Sequence, residues 1–152
     1  MNKRNIWLAG ELAKRGKLQM EYKNIIPTKE EFYRLYETTG WNARYEFTED
    51  DLFLAISNSW YLVSVYDSEK LIGFGRIVSD GVYQTFIGDL IIHPDYQKRG
   101  IGSKVLNLLI EKCKASGIKW VQLTSAKGKA DFYKKHGFQE RPTDGPGMER
   151  LL

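Results

Sequence analysis

The sequence predicts an α/β (α+β) domain: a mixed, mostly antiparallel twisted sheet with a central parallel strand pair and flanking helices. Three observations carry this. Residues 61–66, 71–78 and 82–92 are apolar or alternating runs separated by Asp67-Ser-Glu-Lys70 and Asp80-Gly81, the pattern of an antiparallel meander. The third run leads into an amphipathic helix over about 100–116 and then a strand over 119–124. A connection of that length joins parallel strands by a right-handed crossover. Ahead of the meander, Thr28-Lys-Glu-Glu31 is a capping-box pattern and Thr48-Glu-Asp-Asp51 starts a second helix.

Taken in order, residues 1–19 sit poorly with the rest. Ile6, Leu8, Leu12 and Leu18 stand among five basic side chains, and the stretch reads as an extension outside the fold. Residues 20–152 then form one domain, because no linker or internal repeat divides them. Residues 21–26 read as a first strand, ended by Pro27. The helix after Thr28 shows Phe32, Leu35 and Tyr36 on one face and stops at Thr38-Thr-Gly40. Residues 41–47 read as an aromatic loop, and Leu52, Phe53, Ala55 and Ile56 give the next helix its apolar face. Trp41, Tyr45, Phe47, Phe53 and Trp60 are expected around this helical pair. Gly73 and Gly75 mark a bend or the near approach of another element. Strict alternation in 82–92 puts Phe86, Gly88, Leu90 and Ile92 on one face, and Thr85, Ile87, Asp89 and Ile91 on the other.

The helix over 100–116 has Ile101, Val105, Leu108 and Leu109 on a stripe that Leu106, Ile110 and Cys113 widen, with Gly117 as its C-cap. A helix over 130–136 ends at Gly137. The chain returns through Pro142 and Asp144-Gly-Pro-Gly147 to a last strand over 148–152.

Composition bounds the function. Apolar residues are 42% and charged residues 28% of 152, the balance of a globular protein with one core. The single cysteine, Cys113, excludes an internal disulfide framework, and a reducing cytoplasm is the expected setting. No apolar run approaches the ~20 residues of a membrane span, and the N-terminal stretch lacks an apolar signal core. The net charge of +4 suits a polyanionic ligand, but no nucleic-acid motif accompanies it. Two distant histidines and one cysteine offer no metal-ligand spacing.

The most informative stretch is 89–104, Asp-Leu-Ile-Ile-His-Pro-Asp-Tyr-Gln-Lys-Arg-Gly-Ile-Gly-Ser-Lys. A buried strand runs into a short loop broken by Pro94, then into a helix start carrying two glycines and three cations. Free amides at a helix N-terminus face a ligand, and glycines let a phosphate approach. Lys98, Arg99 and Lys104 oppose the helix dipole there, which a bound anion would explain. Neither the phosphate-loop pattern nor the dinucleotide pattern fits: no glycine stands five positions before Gly102, and Val105 occupies the third dinucleotide glycine position.

Gln97-x-x-Gly100-x-Gly102 resembles the acetyl-coenzyme-A signature of the GNAT superfamily of N-acetyltransferases. Ala130-Asp-Phe-Tyr-Lys-Lys-His-Gly-Phe138, downstream, is similar to that family's last helix. The resemblance runs from about residue 20 to 152 and is strongest over 86–138. It implies a GNAT-like acyltransferase fold, acetyl-CoA as cofactor, and direct transfer of acetyl to a primary amine, with small-molecule acceptors favoured by the aromatic N-terminal half. Protein or peptide acceptors and a non-catalytic CoA-binding sensor stand as alternatives. The family commonly forms dimers, so a homodimer is an expectation; nucleic acid and membrane are not expected partners.

The resemblance also assigns residues. The strands over 82–92 and 119–124 are expected to splay, with the pantetheine arm pairing to main-chain groups of Leu90, Ile91 and Ile92. The turn Gln97, Lys98, Arg99, Gly100, Ile101, Gly102, Ser103 and Lys104 is expected to hold the pyrophosphate. Ser125 and Phe132 complete the cofactor set. Tyr133 is the expected general acid, since a phenol with a pKa near ~10 is protonated at neutrality. Asp89 is either a general base, desolvated among apolar neighbours, or a structural carboxylate. Glu46 is the alternative base; His93 belongs to the family's recurrent loop sequence, and His136 sits at a helix C-terminus where a cation is simply favourable. Trp41, Arg44 and Tyr45 are the expected acceptor-binding residues.

Overall fold

The computed structural model describes residues 20–152. The expected N-terminal extension over 1–19 lies outside the described residues. Five strands, β1 (Glu21–Lys23), β2 (Tyr61–Asp67), β3 (Lys70–Ser79), β4 (Thr85–Ile92) and β5 (Gln122–Leu123), form one sheet in chain order. The first three pairings are antiparallel and the β4–β5 pairing is parallel. This is the mixed sheet the sequence predicts.

Helices cover both faces. The helix α1 (Lys29–Glu37), the single turn α2 (Asn42–Tyr45) and the helix α3 (Glu49–Ser57) precede β2. Both longer helices start at full capping boxes, Thr28 with Glu31 and Thr48 with Asp51. Their apolar stripes, including Phe32, Leu35, Leu52 and Ile56, close over Phe74 and Ile91. On the opposite face lies α4 (Ile101–Ala115), whose Val105, Leu106 and Leu109 are fully buried against Val65, Ile72 and Ile77. Each such side chain contributes about 1.5–3 kcal/mol by leaving water. Leu108, expected on that stripe, is more than a third exposed. The helix α5 (Ala130–Lys134) packs Phe132 and Tyr133 against the same face as α4.

Gly75 serves the close approach of α4, and Gly73 that of side chains from the neighbouring strands β2 and β4. A Cβ on Gly75 would stand 2.8 Å from Val105 Cγ1, and one on Gly73 would stand 3.0 Å from Ile92 Cδ1.

Strict alternation along β4 is not kept. Ile91 pairs with Phe74 and Gly88 with Arg76, so three steps on β4 answer two on β3. The extra residue is a β-bulge, and Asp89 takes the left-handed conformation there, at φ 49°. As a result Ile87 shares the α4 face with Leu90 and Ile92, while Ile91 packs beneath α1 and α3.

Other expectations need correction. The first strand ends at Lys23, because side chains replace the ladder: Asn24 donates to Leu62 O at 2.7 Å, and Ser64 Oγ donates to Ile25 O at 2.8 Å. The aromatic loop contains α2, closed by Asn42 bonding both main-chain groups of Phe47. Trp60 packs on the α4 side of the sheet, away from α1 and α3. No strand forms over 148–152, and Met148 is almost fully exposed. Pro142 and Pro146 lack amide donors, and β5 is too short to template another strand.

Candidate active site

Two halves meet at β4. The first is made of main chain. β4 and β5 pair only at Phe86–Gln122 and Ile87–Leu123, so from Gly88 onward β4 has no neighbour on that side among the described residues. The chain then passes through a 3-10 turn, Pro94–Tyr96, and reaches α4 through Lys98 at φ 59° and Gly100 at φ 79°. Alternation of left- and right-handed residues turns successive amides to one side. Gly100 caps α4 without any side-chain hydrogen bond, and the amides of Ile101, Gly102 and Ser103 meet no acceptor among the described residues. Bare amides at the positive end of a 15-residue helix are a receptor for phosphate.

Around this mouth the side chains are arranged differently from expectation. Gln97 Nε2 donates to Ile92 O at 3.0 Å, so one carbonyl expected to pair with pantetheine is already engaged. Arg99 folds back, donating to Asp95 O at 2.8 Å and lying 5.1 Å from the centre of the Tyr96 ring. Lys104 Nζ sits 4.0 Å from the centre of the Tyr22 ring. Lys98 is exposed and makes no ion pair among the described residues. Tyr96 holds the whole turn to β2 through a 2.6 Å bond from its hydroxyl to Asp67 Oδ2.

Phe132 closes the same mouth from α5, near enough that a Cβ on Gly102 would lie 3.6 Å from its ring. Ser125 Oγ donates to Ala126 O at 2.9 Å, and thus shapes its own loop. Tyr133 stands edge-on between Phe132 and Phe138, at 5.1 and 6.0 Å between ring centres. Burial pushes its phenol above the ordinary value of 10.0, and no hydrogen bond contributes. It therefore keeps its proton throughout the neutral range.

The second half is made of side chains. A cavity of about 370 Å³ opens between α1, α3 and the sheet. Phe32, Tyr36, Phe47, Leu52 and Ile56 wall it, and Arg76 and Asp89 form its polar end. Arg76 Nε donates to Asp89 Oδ2 at 2.5 Å, and Nη1 donates to Ala55 O of α3 at 2.8 Å. Asp89 is therefore not the carboxylate among apolar neighbours that alternation suggested; the bulge turns it beside a guanidinium. Burial, then the charge of Asp89, pushes the Tyr36 phenol up to about 12. Asp51 lines the outer wall, held by the amide and hydroxyl of Thr48, and these bonds lower its pKa from 3.8.

Residues 27–138 match the family model described as acetyltransferase (GNAT) family. The chain belongs to the GNAT family. It is 31% identical over 140 residues to an uncharacterized N-acetyltransferase, ycf52, of Pyropia yezoensis, across 86% of this chain and 79% of that one. The solved structure of a GNAT-family acetyltransferase from Streptococcus pneumoniae is 29% identical, with a TM-score of 0.71 over 88% of this chain and 98% of that one. The PaiA N-acetyltransferase of Thermoplasma acidophilum, solved in complex with coenzyme A, shares the fold at 19% identity, with a TM-score of 0.68 over 84% and 94% of the two chains. A shorter match, 34% identical over 81 residues, is to a chloroplastic GCN5-related N-acetyltransferase of Arabidopsis thaliana, covering 53% of this chain and 41% of that one. Membership of the family thus does not fix the compartment. No helix among the described residues is long and apolar enough to cross a membrane.

Within this GNAT chain, Leu90, Ile92, Gln97 to Lys104, Phe132 and Tyr133 gather on the α4 and α5 side, while Ile91 packs on the α1 and α3 side. Trp41, Arg44 and Tyr45 do not line the cavity. Trp41 packs edge-on against Tyr36, Tyr45 stacks on Phe47, and Arg44 pairs with Glu149 at 2.7 Å, one layer behind the wall. Glu46 is exposed at the left-handed end of α2. His93 Nδ1 accepts from the Asp95 amide, and the His136 ring bonds Phe132 O, so both have structural partners. Sequence reasoning missed Tyr36 and Arg76 as cavity-lining residues. Tyr36 was legible only as helix-face packing, and Arg76 carried no motif.

Proposed function

We propose that this GNAT chain transfers acetyl from acetyl-CoA to the primary amine of a small molecule held in the cavity between α1, α3, β3 and β4. One observation carries the reading: the polar end of that cavity lies at the same bulge where β4 parts from β5. The acceptor space and the route to the bare helix amides therefore adjoin at Asp89.

Acetyl-CoA, when bound, supplies an acetyl group activated as a thioester. The amides of Ile101, Gly102 and Ser103 bind its diphosphate. The main-chain groups of Leu90 and the amide of Ile92, on the edge that β5 leaves uncovered, steady the pantetheine arm and donate to the thioester oxygen. Apolar and aromatic walls orient an aryl- or alkylamine and exclude water. An alkylamine has a pKa of about 10, like lysine, and enters protonated. Asp89 accepts its proton, directly or through water, which frees the nitrogen lone pair to attack the carbonyl carbon. As the carbon–sulfur bond breaks, Tyr133 gives its phenolic proton to the leaving sulfur, and the second proton shed by the nitrogen as it becomes an amide passes through water to restore the phenol.

The test is thiol release from acetyl-CoA over a panel of phenethylamine, tryptamine, spermidine and a lysine-containing peptide. The expected result is turnover of at least one of the small amines, with kcat reduced about a hundredfold in Tyr133→Phe, the scale of a lost general acid. Turnover of the peptide alone would favour a protein acceptor. Binding of CoA with no amine acetylated would favour a non-catalytic sensor.

A further inference from the structure

We infer that Arg76 is a positioning residue for the acceptor amine: it fixes Asp89 at the β4 bulge by one carboxylate oxygen, so that the other is presented to the amine. The inference rests on the small-amine reading and assigns the group that makes it work.

The argument begins with the backbone of Asp89. A non-glycine residue at φ 49° sits in a sparsely populated region and persists only where its surroundings hold it. The bulge has given up ladder hydrogen bonds, and β5 is absent beyond Ile87. The Arg76 guanidinium is what joins the side chain of Asp89 to the rest of the domain. Its Nε takes Asp89 Oδ2, and its Nη1 takes Ala55 O in the last turn of α3. Three elements, β3, β4 and α3, are thereby tied to one planar fork. The cation also stands at the negative end of the α3 dipole, where it is favoured.

The pairing is one-sided. Among the described residues, Asp89 Oδ1 accepts no hydrogen bond, and Arg76 does not grip both oxygens in the usual bidentate manner. The two side chains are 19% and 22% exposed, so the pair is largely shielded but open at the cavity. An ammonium in the cavity finds one carboxylate oxygen with an unused acceptor site, and finds it in a fixed place. Lysine at position 76 could supply the charge but not the fork, so it would hold either Asp89 or Ala55 with less definition.

Steady-state acetylation of phenethylamine by the full chain, or of whichever panel amine is turned over fastest, tests this in wild type, Arg76→Met, Arg76→Lys, Asp89→Asn and the Arg76→Met/Asp89→Asn double variant. The amine KM is expected to rise about tenfold or more in Arg76→Met and by less in Arg76→Lys, the scale of one lost hydrogen bond to a charged group. The KM for acetyl-CoA is expected to stay within about twofold, which a general structural role would not predict. The double variant is expected to be no worse than Asp89→Asn alone, because Arg76 acts through that carboxylate. If Arg76→Met does not fold, the milder lysine variant carries the same comparison. An unchanged amine KM, a matching rise in the acetyl-CoA KM, or losses that multiply in the double variant would overturn the inference and leave the amine reading standing. Failure of the wild-type chain to acetylate any amine would overturn both.

Discussion

The proposed donor side and the proposed acceptor side of β4 are built from different materials. On the α4 side, the proposed anion receptor consists of amides that a helix start leaves free, arranged by the left-handed residues Lys98 and Gly100. On the α1 and α3 side, the cavity consists of side chains converging from two helices and two strands. Amide geometry follows from backbone dihedrals, so a few adjacent residues specify it and most side chains around it are free to vary. A cavity wall depends on volume and packing, so any of its members can alter which molecule fits. The difference teaches where a chain of this kind can change its acceptor without losing its donor.

That contrast can be broken in three ways. The largest effect is expected from Phe32→Ala. Phe32 is 1% exposed, packs edge-on against Phe74 at 4.7 Å between ring centres, and belongs to both the core and the cavity wall. Its truncation is expected to cost about 3–5 kcal/mol in denaturant unfolding. CoA affinity, measured where the variant is still folded, is expected to change little. Loss of CoA affinity alongside would mean that the two sides are not separable.

Gly100→Ala reverses the test. No atom lies within 4 Å of where its Cβ would stand, so the protein itself has room for it. The residue's φ of 79° makes the change cost about 1 kcal/mol of stability. Because the same residue orients the amides, the Kd for CoA is expected to rise about tenfold, the equivalent of about 1.4 kcal/mol. Retained affinity would mean that the loop geometry is not what binds.

The smallest effect concerns acid. Asp51 and Asp80 both have pKa values lowered from 3.8, first by accepted main-chain hydrogen bonds. A depressed carboxylate stabilises the fold above its unfolded pKa, and that contribution is lost as pH falls through the folded value. Melting temperature is therefore expected to drop below about pH 4, and less steeply in Asp51→Asn. An identical slope in that variant would remove the α3 cap from the account.

What could be read in the sequence follows the same division. The meander, the crossover and the first capping box are local patterns, and each one is present. The 97–104 turn is also local, which is why a signature of six positions sufficed to locate it. Asp89 was singled out for its place on β4, but its surroundings were misjudged. A bulge is one extra residue that no period-2 pattern announces, and it moved Asp89 from apolar neighbours to Arg76. Trp41, Arg44 and Tyr45 were the chemically conspicuous residues of the N-terminal half, yet the cavity is lined one layer inward, by Phe32 and Tyr36. Those two look like ordinary core because they are core as well. Arg76, lying 13 positions before its partner, has no local signal at all.

The most direct measurement is calorimetric titration of CoA into the wild-type chain. The account predicts one-to-one binding that weakens when the diphosphate-bearing nucleotide portion is removed, as with pantetheine alone. No heat of binding, or equal affinity for pantetheine and CoA, would contradict the claim that the open amides of α4 hold a diphosphate.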